Sequence, residues 1–393
     1  MKIFVITVFL CLSGCGTPKK PKPSPETPSQ ETSSQSPGWS HQTLAERPRN
    51  PNAPPAVSIA THYDRASRDE CPRINMKLTR RGEKDDVFSV LFDTGSDESF
   101  IMDGTVAANK HIGYKDGSLG TRIRTAYDLG FGIPGADTGV VIDRVVKEHA
   151  ELLDGSSSTV FKFDLELNVA NAASDRLMVG AGLLGTARTG QFAEAAGLFA
   201  YIPPRITGSE EGKILIGENS IEEINALCRD PIRMVRLARD SKSIIFFMSE
   251  GSLSVGDNPS SDPLWWAVDT GANGLNVPES FLHEVLDMIA AAGGKRISTI
   301  TLPGYLPIID NCKQTRSGYP TIHVRVAGTT VAVKPDDYLI TGIPELPEDS
   351  CAVNIASGDL GLEGIHLLGS AVLNNVISVF DGDTGRVGVC NPK

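Results

Sequence analysis

The chain has 393 residues, 40% of them hydrophobic and 22% charged, which is enough apolar material to bury a core and excludes a wholly disordered protein. Its formal net charge of -11 argues against a nucleic-acid binder, which carries a basic face, and against a polybasic membrane-surface protein. The charge is uneven, with a net +3 over residues 1–65 and a net −14 over residues 66–393, so a partner of the second part meets an acidic surface or binds at low pH.

In chain order, Lys2 precedes a mostly apolar run from Ile3 to Leu12, followed by Ser13, Gly14 and Cys15. A short positive start, a short apolar run and small residues read as an export signal over 1–15. The run is too short to span a bilayer. Leu12-Ser13-Gly14-Cys15 also resembles the bacterial lipobox, where cleavage leaves the Cys as a lipidated N-terminus. Cys15 is therefore the expected lipidation site, with an ordinary secretory signal as the other reading. Residues 16–65 read as a linker, since ten of the 25 prolines fall in residues 16–55 among Ser, Thr, Lys and Glu. Such a segment buries no core and stays extended. No later stretch is apolar enough to span a membrane.

From about residue 66 the sequence turns to short strand-like runs punctuated by Gly and Pro. Expected strands are Ile74 to Leu78, Val87 to Phe92, Lys162 to Val169, Ile214 to Ile216, Ile244 to Met248, Ile322 to Val326 and Val376 to Phe380. Lys162 to Val169 alternates polar and apolar residues with period two, the mark of a half-buried strand. Phe281 to Ala292 is the clearest helix, with Pro278 and Ser280 before it and Gly293-Gly294 after it. The expected fold is mostly β with short helices.

Asp-Thr-Gly occurs four times, at Asp93, Asp137, Asp269 and Asp383. Asp137 and Asp383 follow Gly-containing turn text, where these residues are expected anyway. Asp93 and Asp269 instead end apolar strands, Val90-Leu91-Phe92 and Trp266-Ala267-Val268. A carboxylate at the end of a buried strand is costly unless it is well hydrogen-bonded or functional. Gly182-Leu183-Leu184-Gly185 follows the first site, and His366-Leu367-Leu368-Gly369 follows the second at nearly the same spacing. The pattern is an internal duplication.

With Leu91-Phe92-Asp93-Thr94-Gly95-Ser96, Leu183-Leu184-Gly185, Ala267-Val268-Asp269-Thr270-Gly271-Ala272 and Leu367-Leu368-Gly369 in order, the chain resembles the pepsin-like aspartic proteases over roughly residues 70–390. The C-terminal run through Val379-Phe380-Asp381 to Val389 is similar to theirs as well. The resemblance implies a bilobal β fold with two related six-stranded-type lobes, 66–228 and 229–393, and a cleft between them. It implies catalytic Asp93 and Asp269, supported by Thr94, Gly95, Ser96, Thr270, Gly271 and Ala272. It implies a Cys312–Cys351 disulfide. It also implies a hairpin flap with strands near Arg124 to Tyr127 and Thr138 to Val141, whose aromatic is Tyr127 or Phe131. Two motifs in one chain mean that a monomer supplies both aspartates.

The chemistry fits the residues. Peptide hydrolysis needs an activated water and a proton for the departing amine, and two close carboxylates sharing one proton supply both. The pair titrates as a unit, so neither aspartate is assigned as base alone. Ser96 is expected to hydrogen-bond Asp93. Ala272 stands where the second motif often has Ser or Thr, which predicts a raised dyad pKa and a pH optimum less acidic than in digestive members. Asp97 and Glu98 read as solvent-facing, and Asn273 is unusual so near the motif. No cofactor or metal is expected, since the seven His are scattered without a metal-binding motif. The expected partner is a peptide or protein substrate, with the membrane reached only through a lipid anchor. Export permits disulfides, and Cys71, Cys228 and Cys390 allow one further pair. The reading is an exported aspartic endopeptidase at the cell surface or in the periplasm, or else secreted. Its alternative is a catalytically silent protein of the same fold that binds peptides or proteins.

Overall fold

The structure is a computed structural model that describes residues 39–63, 71–79, 86–102, 125–128, 139–172, 182–237, 244–257, 263–277, 279–293, 297–298, 307–312, 316, 318–341, 347–357 and 364–393. Cys15, the signal segment and the first part of the linker lie outside the described residues.

The period-two text forms strands as expected. In Thr159–Ala172, Phe161, Phe163, Leu165 and Leu167 point inward while Lys162, Asp164 and Glu166 are exposed. The helix Glu279–Gly293 buries Leu282, Val285, Leu286 and Ile289, the spacing of one helical face. Ile244 to Met248 departs from expectation. Only Met248 enters a strand, Met248–Val255. The residue before it, Phe247, lends its carbonyl to the Val268 amide (3.0 Å) just before Asp269.

The internal duplication is visible as strand order. In the first lobe, Arg73–Thr79 lies antiparallel to Asp86–Asp93. Asp86–Asp93 runs parallel to Gly182–Gly185, with Leu91 opposite Leu183 and Phe92 opposite Leu184. Gly182–Gly185 is antiparallel to Ser99–Met102, which is parallel to Thr159–Ala172. The second lobe repeats this order with Met248–Val255, Leu264–Val268, Ile365–Leu368, Leu275–Val277 and Ile355–Ser357. Each lobe therefore carries a seven-stranded sheet, one strand more than the six expected. In the first lobe Thr125–Asp128 adds itself to the long hairpin of Gly139–Leu153 and Thr159–Ala172. In the second, Ile355–Ser357 closes the edge beside Leu275–Val277.

A third seven-stranded sheet joins the lobes, in the order Trp39–Thr43, Arg233–Leu237, Arg386–Cys390, Ile377–Asp381, Leu198–Ile202, Gly212–Ile216, Val57–Thr61. Its two edge strands come from residues 39–61, so the 16–65 linker expectation is corrected. The Pro-rich stretch between the two strands lowers the average hydrophobicity and conceals the apolar anchors. Leu44 and Ile59 are fully buried, and strand pairing satisfies the backbone on either side. Arg47, in the middle of this arm, is buried with its guanidinium donating to both oxygens of Asp381 (2.8 and 3.1 Å), to Asp383 (2.5 Å) and to Glu218.

Beneath the two Asp-bearing strands lies a column of aromatic rings. Phe92 meets Phe192 at 5.4 Å and Phe199 at 6.0 Å. Phe199 stacks on Phe380 at 5.0 Å, and Phe380 meets Phe247 at 5.1 Å. Such pairs add about 0.5–1.5 kcal/mol each beyond area burial. The column runs from the residue before Asp93 to the residue that holds Val268. Cys228–Cys390 and Cys312–Cys351 are disulfides, and Cys71 is not part of one. Among the described residues, no helix is long and apolar enough to cross a membrane.

Candidate active site

Both Asp-Thr-Gly loops start where a buried parallel strand pair ends. Thr186 N–H donates to the Asp93 carbonyl (2.7 Å) and Asp269 N–H to the Leu368 carbonyl (3.0 Å). The glycines of the two Leu-Leu-Gly runs let the loops pack closely. A Cβ on Gly185 would collide with the Glu98 carbonyl, and one on Gly369 with the carbonyls of Ala272 and Gly274. Ala187 N–H then donates to the Ser96 carbonyl (2.9 Å), and Ser370 N–H to the Ala272 carbonyl (2.7 Å).

The loops interlock across the lobe boundary. Thr94 Oγ1 donates to the Val268 carbonyl (2.9 Å), and Thr270 Oγ1 donates to the Phe92 carbonyl (2.6 Å). Each hydroxyl also accepts the partner's amide: Thr94 N–H to Thr270 Oγ1 at 3.1 Å and Thr270 N–H to Thr94 Oγ1 at 3.0 Å. Both threonines are buried, so these bonds satisfy groups that water does not reach. The Thr side chains tie the frame that carries the two carboxylates.

The carboxylates face each other over two glycines. A side chain at Gly95 would collide with the Asp269 carboxylate, and one at Gly271 would collide with that of Asp93. Asp93 is 1% exposed and Asp269 3%, and the two carboxyl groups are within hydrogen-bond reach. Gly95 N–H donates to Asp93 Oδ1 (2.7 Å) and Ser96 Oγ to Asp93 Oδ2 (2.6 Å). Gly271 N–H donates to Asp269 Oδ1 (2.8 Å). No hydroxyl matches Ser96 on the second side. Ala272 is fully buried in an apolar group with Phe246, Met248 and Leu367. Burial, and then the neighbouring Asp93 charge, push the Asp269 carboxyl well above the usual carboxylate range, against the backbone amides of Gly271 and Ala272.

All eight residues of the two motifs, Asp93 to Ser96 and Asp269 to Ala272, thus meet in one place. The sequence expectation for Asp97 and Glu98 needs adjustment. Asp97 is half-buried and accepts from Thr189 Oγ1 (3.2 Å), while Glu98 is exposed and accepts from Asn168 Nδ2 (2.9 Å). Both brace the first loop rather than pointing only to water. Tyr127 lies in Thr125–Asp128, opposite Val140. Its side chain, Phe131 and the hairpin tip lie outside the described residues. Residues that sequence reasoning did not connect with the site are Cys71, Asn354 and Ser370, all of which bond Asn273 just after the second motif. Only the oddity of Asn273 beside the motif signalled them.

Residues 209–391 match the family model described as eukaryotic aspartyl protease. A gastricsin of Mus musculus is 30% identical over 125 residues, which is 31% of this chain and 28% of the relative's length. The match thus spans less than a third of the curated relative.

Proposed function

We propose, from the chain's membership of the pepsin-like aspartic protease family, that it is an active endopeptidase cutting peptide bonds with a water held by Asp93 and Asp269. The observation that carries this reading is the pairing of two buried, mutually facing carboxyl groups, one of them biased toward its protonated form. Two such carboxyls do not both ionise readily, so they hold one proton between them near working pH. The ionised member takes a proton from the water as its oxygen attacks the scissile carbonyl carbon. The protonated member donates to the carbonyl oxygen, which becomes a hydroxyl of the tetrahedral intermediate. When the C–N bond breaks, the departing nitrogen takes the proton that came from water, and one hydroxyl of the intermediate returns its proton to the other carboxylate as the product carbonyl forms, so the dyad is again singly protonated. The amides of Gly95 and Gly271 and the Ser96 hydroxyl hold the carboxylates still, so the acid and base need no rearrangement between steps.

In this reading the substrate is an extended peptide or unfolded protein lying between the lobes. The hairpin of Thr125–Asp128 and Gly139–Leu153 folds over it with Tyr127 as its aromatic. The protein works as an exported monomer, and the Cys15 lipobox holds it at a membrane through the segment before residue 39. Two disulfides suit such an oxidising compartment.

The test is digestion of an unfolded protein across pH, with and without pepstatin. Hydrolysis should be blocked by pepstatin and fall about a hundredfold or more in Asp93→Asn. Peptide binding without cleavage at any pH would instead favour the catalytically silent alternative.

A further inference from the structure

Asn273 follows Ala272 and takes no part in the chemistry above. It is 7% exposed and densely bonded. Its main-chain carbonyl accepts from Asn354 Nδ2 (2.9 Å), Ser370 Oγ (2.5 Å) and Ala371 N–H (3.1 Å). Its side-chain Oδ1 accepts from Cys71 Sγ at 3.1 Å. These bonds clamp the far end of the loop whose Gly271 amide donates to Asp269.

Cys71 belongs to the other lobe, 202 residues away in the chain. It is fully buried. The next residue, Pro72, accepts the Phe92 amide with its carbonyl (2.8 Å), and Phe92 leads directly into Asp93. The thiol-to-amide bond therefore runs from the support of one aspartate to the loop of the other. The first loop is braced differently. There Asp97 occupies the place of Asn273 and accepts from Thr189 within its own lobe.

We propose that Cys71 and Asn273 form a cross-lobe positioning pair that sets where Asp269 stands relative to Asp93. The proposal rests on reading the two aspartates as a catalytic pair. The bond acts on the backbone that carries the two aspartates, so its action is geometric. Loss of the thiol donor removes a buried bond across the lobes, and the loop relaxes in response. Burial raises the Asp269 carboxyl most, and the charge that raises it further is that of Asp93. As the carboxyls move apart, their mutual repulsion and shared hydrogen bond weaken, and the two apparent pKa values of the pair draw together.

The test compares Cys71→Val, which keeps an apolar side chain of similar size but no donor, with Cys71→Ser, which keeps a donor. Two readouts are taken on the full chain. One is the pair of dyad pKa values, from carboxyl 13C NMR with labelled aspartate. The other is hydrolysis of an unfolded protein. Cys71→Val should bring the pKa values together, narrow the pH–rate bell and lower kcat about tenfold or more with KM within about twofold, the size expected for an ångström-scale misplacement. Cys71→Ser should keep the values apart and recover most of kcat. In an Asn273→Ala background Cys71→Val should add little. A purely packing role gives the opposite order, since an apolar Val suits a dry site better than Ser. That order, or dyad pKa values identical in all variants, overturns the proposal whether or not the wild type turns over. Separated wild-type values that collapse in Cys71→Val, with no hydrolysis by any form, support the pair and sink the catalytic reading alone.

Discussion

Ala272 marks the one asymmetry between the two aspartates that a single atom explains. Asp93 has the Ser96 hydroxyl at 2.6 Å, whereas Asp269 has an alanine methyl walled by Phe246, Met248 and Leu367. A hydroxyl donor favours the ionised carboxylate and lowers its pKa. Asp269, lying above the usual range because of burial and the Asp93 charge, should move down when such a donor is supplied. Ala272→Ser is therefore expected to shift the alkaline limb of the pH–rate profile, which the higher pKa of the pair sets, to lower pH. The same change places an oxygen in an apolar wall, so some stability is lost unless the new hydroxyl bonds Asp269. A pH–rate profile and a thermal melt measure the two effects. A wild-type optimum near pH 2 would contradict the expectation of a less acidic enzyme. The two motifs were legible in the sequence down to Ser96 and Ala272, because their order and spacing recur within one chain. The Cys71–Asn273 bond was not, because it joins residues 202 apart with no repeat to announce it.

Among the elements, the N-terminal arm behaves least like its composition. Trp39–Thr43 pairs along its whole length with Arg233–Leu237, and Val57–Thr61 along its whole length with Gly212–Ile216. Between them Arg47 sits against Asp381, which is fully buried, and against Asp383 and Glu218. Removing the cation leaves buried carboxylate unpaired, which costs about 3–5 kcal/mol. Arg47→Ala should lower the melting temperature accordingly. Arg47→Lys should recover only part of the loss, since an ammonium does not reproduce the two-oxygen contact with Asp381. A melting temperature unchanged in Arg47→Ala would mean that the arm is dispensable. The strand text of the lobes was readable because alternation there is continuous, as in Phe161 to Leu167. The arm hides its alternation in two five-residue pieces on either side of a Pro-rich stretch. Its partners, Arg233–Leu237 and Gly212–Ile216, lie far along the chain, where no local pattern points to them.

At the scale of the whole molecule, the sheets are held by long-range closures as well as by local ones. Cys228–Cys390 spans 162 residues and ties the end of the helix Ser220–Leu227 to the last strand of the joining sheet. Cys312–Cys351 spans 39 residues within the second lobe. A cross-link over the longer loop removes more freedom from the unfolded chain, and typical values are about 2–4 kcal/mol. Replacing Cys228 and Cys390 together by Ser or Ala should therefore lower stability by more than replacing Cys312 and Cys351, as read by denaturant unfolding of the two double variants. The two-lobed architecture itself was legible, since a duplicated motif demands duplicated scaffolding. The joining sheet was not, because its strands come from three widely separated parts of the chain, 39–61, 198–237 and 377–390.

The arm also imposes an order on the birth of the protein. Its strands are made before either lobe, yet Trp39–Thr43 has to await Arg233–Leu237, and Arg47 has to await Asp381, 334 residues later. Because domains form N-terminal first during synthesis, the first lobe can assemble around Asp93 while the arm hangs loose beside it. An arm made ahead of both lobes is thus among the last parts to find its place, and the seat of Arg47 is completed only when nearly the whole chain has emerged.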